Sequence, residues 1–285
     1  MMGVPYAEVV GDPIAHSKSP PIHRFWLEKL GVEGDFRASR VAAEPGELQT
    51  YLARARGDPD WRGCNVTAPL KRAVVPLLDR ISPEAEAIGA VNLVVREEAA
   101  LVGYNSDARG FLEPLRPLLA RTHLFRMARL FGAGGAARAV AHALAGHGFT
   151  LVVASRDPAR AEALLSGIAG EHHVAPLVHF AEPTDFAFDD RAGVLDLVVN
   201  ATPLGMPGRP CLPLHWSHVP PDAIIYDLVY TPLETPLLCE ARAREHRAID
   251  GLWMLIGQAA VAFELFFGRP APRQHDAELR ALLTA

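Results

Sequence analysis

Along most of the chain, short apolar runs closed by glycine or proline take turns with stretches of helical spacing, the signature of an α/β protein. Residues 6–10 read as a first strand ending at Gly11, and residues 21–30 as a helix with proline in its first turn. A second strand is predicted at 36–41 and a helix at 45–56. Residues 65–67 form a strand that Pro69 stops, since proline has no N–H for a ladder, and a helix is expected over 71–79. Ser82-Pro83 opens another short helix. Residues 90–95 read as a strand with Asn92 embedded, turning at Glu97-Glu98 into its hairpin partner at 101–107. Asn105-Ser106-Asp107 then caps a helix over 109–119.

The second half has a different rhythm. A strand at 126–131, a glycine turn, a helical run to Gly146 and a strand at 150–154 make a βαβ unit. Residues 194–199 are almost continuously apolar, as in a strand buried on both faces of a parallel sheet, and 223–227 repeat the pattern. A helix at 234–245, a turn at 249–252, a long apolar helix at 253–267 and a short one at 276–284 complete the prediction.

Length turns this pattern into two domains, because 285 residues exceed what one small core organises. A net charge of -5 without a clustered Lys/Arg face argues against a nucleic-acid partner. Cys64, Cys211 and Cys239, an odd number without ligand spacing, fit a reducing compartment. With no signal-like segment at 1–10, a cytoplasmic protein is expected. The apolar stretch 253–267 is interrupted by Gln258 and Glu264 and falls short of the ~20 residues a membrane span needs. The histidines lack metal-type spacing and read as scattered surface or structural groups, so no metal is expected.

Three stretches carry candidate chemistry. In Gly63-Cys-Asn-Val-Thr-Ala-Pro-Leu-Lys71, Asn65 and Thr67 flank one valine at period-two spacing, and Lys71 follows the strand end. Such a set could orient and protonate a small polyhydroxylated substrate; it also fits an ordinary polar loop. In Gly11-Asp-Pro-Ile-Ala-His-Ser-Lys-Ser-Pro20, the hydroxyls of Ser17 and Ser19 can both donate to one carboxylate, while Ser19 equally suits a helix cap. Gly132-Ala133-Gly134-Gly135-Ala136, with Ala137 in place of a third glycine, sits between strand and helix as a dinucleotide fingerprint requires. Strand 150–154 runs into Ser155 and Arg156, with Arg160 one turn on, a set that suits the 2′-phosphate of NADP; Asp157 keeps NAD as the alternative. Gln258, alone on an apolar helix, is either a buried structural amide or a substrate ligand.

Together these motifs resemble the shikimate dehydrogenase family over nearly the whole chain. G-D-P-I-A-H-S-K-S-P-P-I-H is similar to its substrate loop, and G-C-N-V-T-A-P-L-K to its Asn-Val-Thr-x-Pro-x-Lys signature. G-A-V-N, G-Y-N-S-D, N-A-T-P-L-G-M and D-G-L-W-M-L-I-G-Q-A are further family segments, in order. The resemblance implies a substrate-binding α/β domain of residues 1–106, completed by helices in 251–285. A Rossmann-like, doubly wound parallel-sheet domain for NADP would span 107–250, with the active site in the cleft between them. It implies Lys71 and Asp107 as the catalytic pair, and Ser17 and Ser19, helped by Tyr230, on the substrate carboxylate. Thr67, Asn92, Asp107 and Gln258 would hold ring hydroxyls. Thr202, Leu228 and Gly251 would join the glycine turn, Ser155, Arg156 and Arg160 around the cofactor. The implied reaction is reversible reduction of 3-dehydroshikimate to shikimate, in the chorismate route to aromatic amino acids, by a monomer or homodimer. Leu93, Ser106, Ala108, Arg109 and Asp157 depart from the family's pattern, which keeps quinate as an alternative substrate. A ligand sensor on the same fold is the alternative from another class, and retention of both Lys71 and Asp107 argues against it.

Overall fold

The alternating run at Tyr6–Gly11 forms strand β1, which sends Ala7 and Val9 to one face and Glu8 and Val10 to the other. It belongs to a computed structural model that describes residues 3–176 and 193–285, divided into two compact units: Met1–Gly110 with Leu255–Ala285, and Phe111–Met254.

In the first unit, helix α1 (Ser19–Leu30) leads from β1 to β2 (Asp35–Arg40), and α2 (Glu47–Gly57) from β2 to β3 (Trp61–Val66). β1 pairs in parallel with both β2 and β3. Helix α1 begins earlier than periodicity indicates: the cap position is Lys18, without a side-chain cap, and Ser19 is the first helical residue, so Ser19 does not cap this helix. Gly31 ends it in the left-handed conformation, at φ 58°.

The helix expected over 71–79 does not form. Pro69 and Pro76 each remove an N–H, and the segment folds as turns with a short 3-10 piece at Val75–Leu77. Strand β4 (Arg80–Ile81) follows, then α3 (Pro83–Ile88), capped by Ser82 Oγ accepting the Ala85 N–H at 3.2 Å. β5 (Leu93–Glu97) and β6 (Ala100–Tyr104) form the expected antiparallel hairpin, giving the sheet order β2-β1-β3-β5-β6-β4. Asn92 lies just before β5 rather than inside it, yet its backbone is paired: its carbonyl accepts from Val66 and its N–H donates to Tyr104.

Val10, Tyr51, Leu52, Trp61, Cys64 and Val94 make the core on one face of this sheet. Ala7, Val9, Phe36, Leu93, Ala262 and Phe266 make that on the other. Within the second lies a histidine that spacing alone leaves among the scattered ones: His23 is fully buried and stacks on Phe36, ring centroids 3.9 Å apart.

The helix expected at 109–119 is broken into α4 (Asp107–Leu112), a 3-10 turn at Glu113–Leu115 and α5 (Arg116–Leu119), because Pro114 and Pro117 cannot donate within it. The second unit then runs β7 (Phe125–Phe131), α6 (Gly135–Ala145), β8 (Thr150–Ser155), α7 (Pro158–Leu165), β9 (His173–Pro176), β10 (Val194–Asn200), β11 (Ile224–Asp227), α8 (Pro236–Ala243) and β12 (Ala248–Ile249). All six strands are parallel, in the order β12-β11-β10-β7-β8-β9. Chain order therefore reverses between β7 and β10, the switch point at which doubly wound sheets bind ligands. The turn expected at 249–252 is instead the end of β12 and the start of α9 (Gly251–Phe267); α10 (Asp276–Thr284) closes the chain.

Candidate active site

One end of the first sheet gathers most of the polar candidates. β1 and β3 run parallel, so their carboxyl ends deliver the serine loop and the Thr67–Lys71 segment side by side. The backbone locks them together: Thr67 N–H donates to the Val10 carbonyl at 2.9 Å and Asp12 N–H to the Ala68 carbonyl at 3.3 Å. Gly11 makes this approach possible, because a Cβ there would stand 2.5 Å from Thr67 Cγ2 and 2.9 Å from the Ala68 carbonyl oxygen. In the loop itself, Ser17 Oγ accepts the Ser19 N–H at 3.3 Å.

Antiparallel β5 starts, and β6 ends, at that same edge. Lys71 Nζ donates to Asp107 Oδ2, and both side chains are largely shielded, at 16% and 5% exposure. Asn92 Nδ2 donates to Asp107 Oδ1 at 2.9 Å and to Ser106 Oγ at 3.0 Å, while Asn92 Oδ1 accepts the Ser106 N–H at 2.8 Å. Gln258 Oε1 sits 3.5 Å from both Asn92 Nδ2 and Ser106 Oγ, and its Nε2 donates to the Leu255 carbonyl at 3.0 Å. The Lys71 carbonyl accepts from Val91 N–H at 2.8 Å, fixing the lysine's backbone against the approach to β5. Lys71, Asn92, Asp107 and Gln258 are thus one connected group. Ser106 and Asn105 belong to it although only their turn-forming character is legible in the sequence: Asn105 Oδ1 accepts the Asp107 N–H at 3.0 Å and its Nδ2 donates to the Ala90 carbonyl at 2.8 Å.

The second unit gathers the other candidates at the carboxyl ends of its strands. Gly132 has φ 112°, and a Cβ on it would meet the Ala201 carbonyl oxygen at 2.9 Å and Thr202 Cγ2 at 3.2 Å. Leu228 N–H donates to the Asn200 carbonyl at 3.0 Å, and Gly251 is pressed onto Leu228, whose carbonyl oxygen a Cβ would meet at 2.4 Å. Gly132, Thr202, Leu228 and Gly251 therefore form one layer of touching loops. Gly134 differs: open space lies where its Cβ would be, and it begins α6 with no side-chain cap on the helix N–H groups. Ala133, Gly135 and Ala136 complete this turn, and the uncapped helix start fits a pyrophosphate.

Beneath these loops lies a polar knot. Asp227 is fully buried; its Oδ1 accepts from Asn200 Nδ2 at 2.9 Å and Val229 N–H at 3.0 Å, and its Oδ2 from Thr235 Oγ1 at 2.7 Å. Burial raises its carboxyl to about 6, against the downward pull of those three donors. Tyr230, three residues on, is largely enclosed, and burial raises its phenol above the ordinary range.

Asp157 has a structural occupation. It is the N-cap of α7, its Oδ1 accepting the Ala159 N–H at 3.1 Å, and its Oδ2 stands 3.6 Å from Arg160 Nε. Ser155 Oγ accepts the Asp157 N–H at 3.2 Å. Arg156 and Arg160 are exposed at this strand end. No cluster of His, Cys, Asp and Glu among the described residues could hold a metal ion, and none of their helices is long and apolar enough to cross a membrane.

Comparison with known proteins sets this geometry in a family. Residues 9–94 match the model of the shikimate dehydrogenase substrate binding domain, and residues 251–278 that of the shikimate 5'-dehydrogenase C-terminal domain. The shikimate dehydrogenase (NADP(+)) of Sphingopyxis alaskensis is 49% identical over 283 residues, covering 99% of this chain and 97% of that protein. The chain belongs to the shikimate dehydrogenase family. Among solved structures, the shikimate 5-dehydrogenase of Thermus thermophilus in complex with NADP(H) and shikimate matches with a TM-score of 0.80 at 38% identity, over 98% of this chain and 99% of that one. A quinate dehydrogenase from Corynebacterium glutamicum in complex with NAD matches with a TM-score of 0.81 at 33% identity, over 98% and 99%. The resemblance drawn from the six motifs and the fold class are both borne out. Membership of the shikimate dehydrogenase family also makes this an oxidoreductase acting on a CH–OH group.

Proposed function

We propose that the protein is an NADP-dependent shikimate dehydrogenase, reducing 3-dehydroshikimate reversibly to shikimate in the cytoplasm. The observation that carries the reading is the shielded Lys71–Asp107 pair, held from its far side by Asn92. Reduction of a ketone needs a proton delivered to the carbonyl oxygen as hydride reaches the carbon. Lys71 Nζ holds that proton, and Asp107 Oδ2 aims the ammonium group. In the reverse direction the neutral amine takes the hydroxyl proton. Bound NADPH supplies the hydride.

The other residues bind and orient. Ser17 and Ser19 offer hydroxyls for the substrate carboxylate, and Thr67, Asn92 and Gln258 offer donors and acceptors for ring hydroxyls. The first unit takes the substrate; the second takes the dinucleotide on the loops at Gly132, Thr202, Leu228 and Gly251. Arg156 and Arg160 meet the 2′-phosphate, which a guanidinium can grip in two places. The cap geometry of Asp157 supports NADP over NAD, since its carboxylate is directed to Ala159 N–H and Arg160 rather than left for a ribose.

The test is the initial rate of nicotinamide reduction with shikimate and with quinate, each against NADP⁺ and NAD⁺. Shikimate with NADP⁺ is expected to be fastest. A dominant quinate or NAD⁺ rate would overturn the substrate or cofactor assignment, and no reduction in any of the four would overturn the activity.

A further inference from the structure

Asp227 lies outside the glycine turn, yet it ties together the neighbouring loops at one end of the second sheet. Through Asn200 Nδ2 it holds a side chain whose Oδ1 accepts both the Thr202 N–H, at 3.0 Å, and Thr202 Oγ1, at 2.7 Å. Asn200 Nδ2 also donates to the Leu204 carbonyl at 3.0 Å, so one amide spans the loop from Thr202 to Leu204. Asp227 Oδ1 takes the Val229 N–H, fixing the next loop beside Leu228. Its Oδ2 takes Thr235 Oγ1, which itself caps α8 by accepting the Leu238 N–H at 3.3 Å. Nothing else compensates the carboxylate: Asp227 has no ion-pair partner among the described residues.

We infer that Asp227 is a positioning residue for cofactor binding, acting through Asn200 to hold Thr202 and through Val229 to hold Leu228. This rests on the reading above that these two loops face NADP. The chain of bonds accounts for why a carboxyl group sits in a fully buried place. Two donors meet at Oδ1, which a single amide nitrogen could not receive, and the third meets Oδ2, the only contact whose direction a proton could reverse. Burial raises the carboxyl to about 6, so the site tolerates the proton, and Thr235 Oγ1 can accept from it. Asparagine is therefore an adequate replacement: its Oδ1 keeps Asn200 and Val229, and its Nδ2 donates to Thr235. Alanine is not.

The test is the dissociation constant for NADP⁺, measured by calorimetry on the full-length protein, beside kcat and the KM for shikimate. Asp227→Ala is expected to weaken NADP⁺ about ten- to a hundredfold, the scale of a lost hydrogen bond to a charged group, with kcat at saturating cofactor and the shikimate KM within about twofold. Asp227→Asn should bind as the parent does. Asp227→Ala with Asn200→Ala should lose less affinity than the sum of the two single losses, because either variant already interrupts the arm through Asn200, while the arm through Val229 is lost only with Asp227. Unchanged NADP⁺ affinity in a folded Asp227→Ala protein, or additive losses in the pair, would overturn the inference. Should Asp227→Ala lose its melting transition, Asn200→Ala decides: parental affinity there overturns the inference equally. If the parent binds NAD⁺ and not NADP⁺, the cofactor reading has failed, and the same variants titrated with NAD⁺ decide the positioning role.

Discussion

Asn92 donates to the Asp107 oxygen that Lys71 does not use. With Nδ2 at 2.9 Å from Oδ1 and Lys71 on Oδ2, the carboxylate is gripped from both sides and has one orientation. The family resemblance implies a substrate hydroxyl for Asn92; in this structure both ends of its amide are already engaged, with Asp107 and with Ser106. It therefore fixes the orientation of the Asp107 carboxylate against Lys71. Lys71→Ala should lower kcat about a hundred- to ten-thousandfold with the NADP⁺ KM within about threefold, and Asn92→Ala should lower it by roughly tenfold with Lys71 still present. Steady-state kinetics of the two variants check both; parental turnover in Lys71→Ala would remove the lysine from the mechanism.

The cap at α7 separates two roles of Asp157. Asparagine caps a helix as well as aspartate does, so Asp157→Asn should melt within a degree or so of the parent. It also frees Arg160 from an exposed pair worth up to about 1 kcal/mol, which should lower the NADP⁺ KM about two- to fivefold and leave that for NAD⁺ unchanged. Asp157→Ala should instead cost about 1 kcal/mol of stability. An NADP⁺ KM that rises in Asp157→Asn would show the carboxylate itself at the cofactor.

Two glycines predict opposite phenotypes. At Gly251 an added Cβ would lie 2.4 Å from a backbone oxygen that cannot move alone, so Gly251→Ala should cost about 1–3 kcal/mol in urea unfolding. At Gly134 nothing stands within 4 Å of the same atom, so Gly134→Ala should unfold like the parent. If pyrophosphate lies over that turn, the methyl group blocks it and the NADP⁺ KM rises about tenfold. A destabilised Gly134→Ala would contradict the open space above it.

His23 should shape acid stability. Its ring is stacked in the core, neither nitrogen has a hydrogen-bond partner among the described residues, and burial lowers its pKa to about 3 from an ordinary 6.5. The unfolded chain binds a proton there that the folded chain refuses, so stability is present above pH 6.5 and is lost as pH falls toward 3. Asp227, raised to about 6, has the opposite sign: its folded form takes the proton first, so its contribution falls as pH rises from about 4 to about 6. His23→Leu should therefore flatten the loss between about pH 6.5 and about pH 4.5 by on the order of 2 kcal/mol. Urea midpoints at the two pH values, for parent and variant, measure it; equal slopes would mean that the ring is protonated in place.

Where the chain encodes structure by period, sequence is enough. The alternation at residues 6–10 and the apolar run at 194–199 both become strands, within a residue or two of their expected ends. Where proline sits inside a helical pattern, sequence misleads: Pro76, Pro114 and Pro117 shorten or remove helices whose spacing otherwise looks sound. Lys71 and Gln258 are legible because polar groups stand out in apolar or strand-end settings, whereas Asp107 is singled out only by the family resemblance. That Ser106 and Asn105 join them is hidden, because Asn-Ser-Asp is an ordinary cap by spacing and becomes a site only once β6 delivers it beside Asn92. Asp227 is invisible for a similar reason. A carboxylate ending a strand carries no mark of its partners, two of which are 27 and 8 residues away.

The Lys71 segment is held by bonds from outside itself. Thr67 N–H reaches the Val10 carbonyl, Asp12 N–H the Ala68 carbonyl and Val91 N–H the Lys71 carbonyl, while two prolines deny it a helix of its own. The nine residues from Gly63 are consequently not a portable module. Grafted onto another scaffold they would carry the right side chains but no memory of their shape, and a designer would have to transplant the end of β1, its glycine and the approach to β5 along with them.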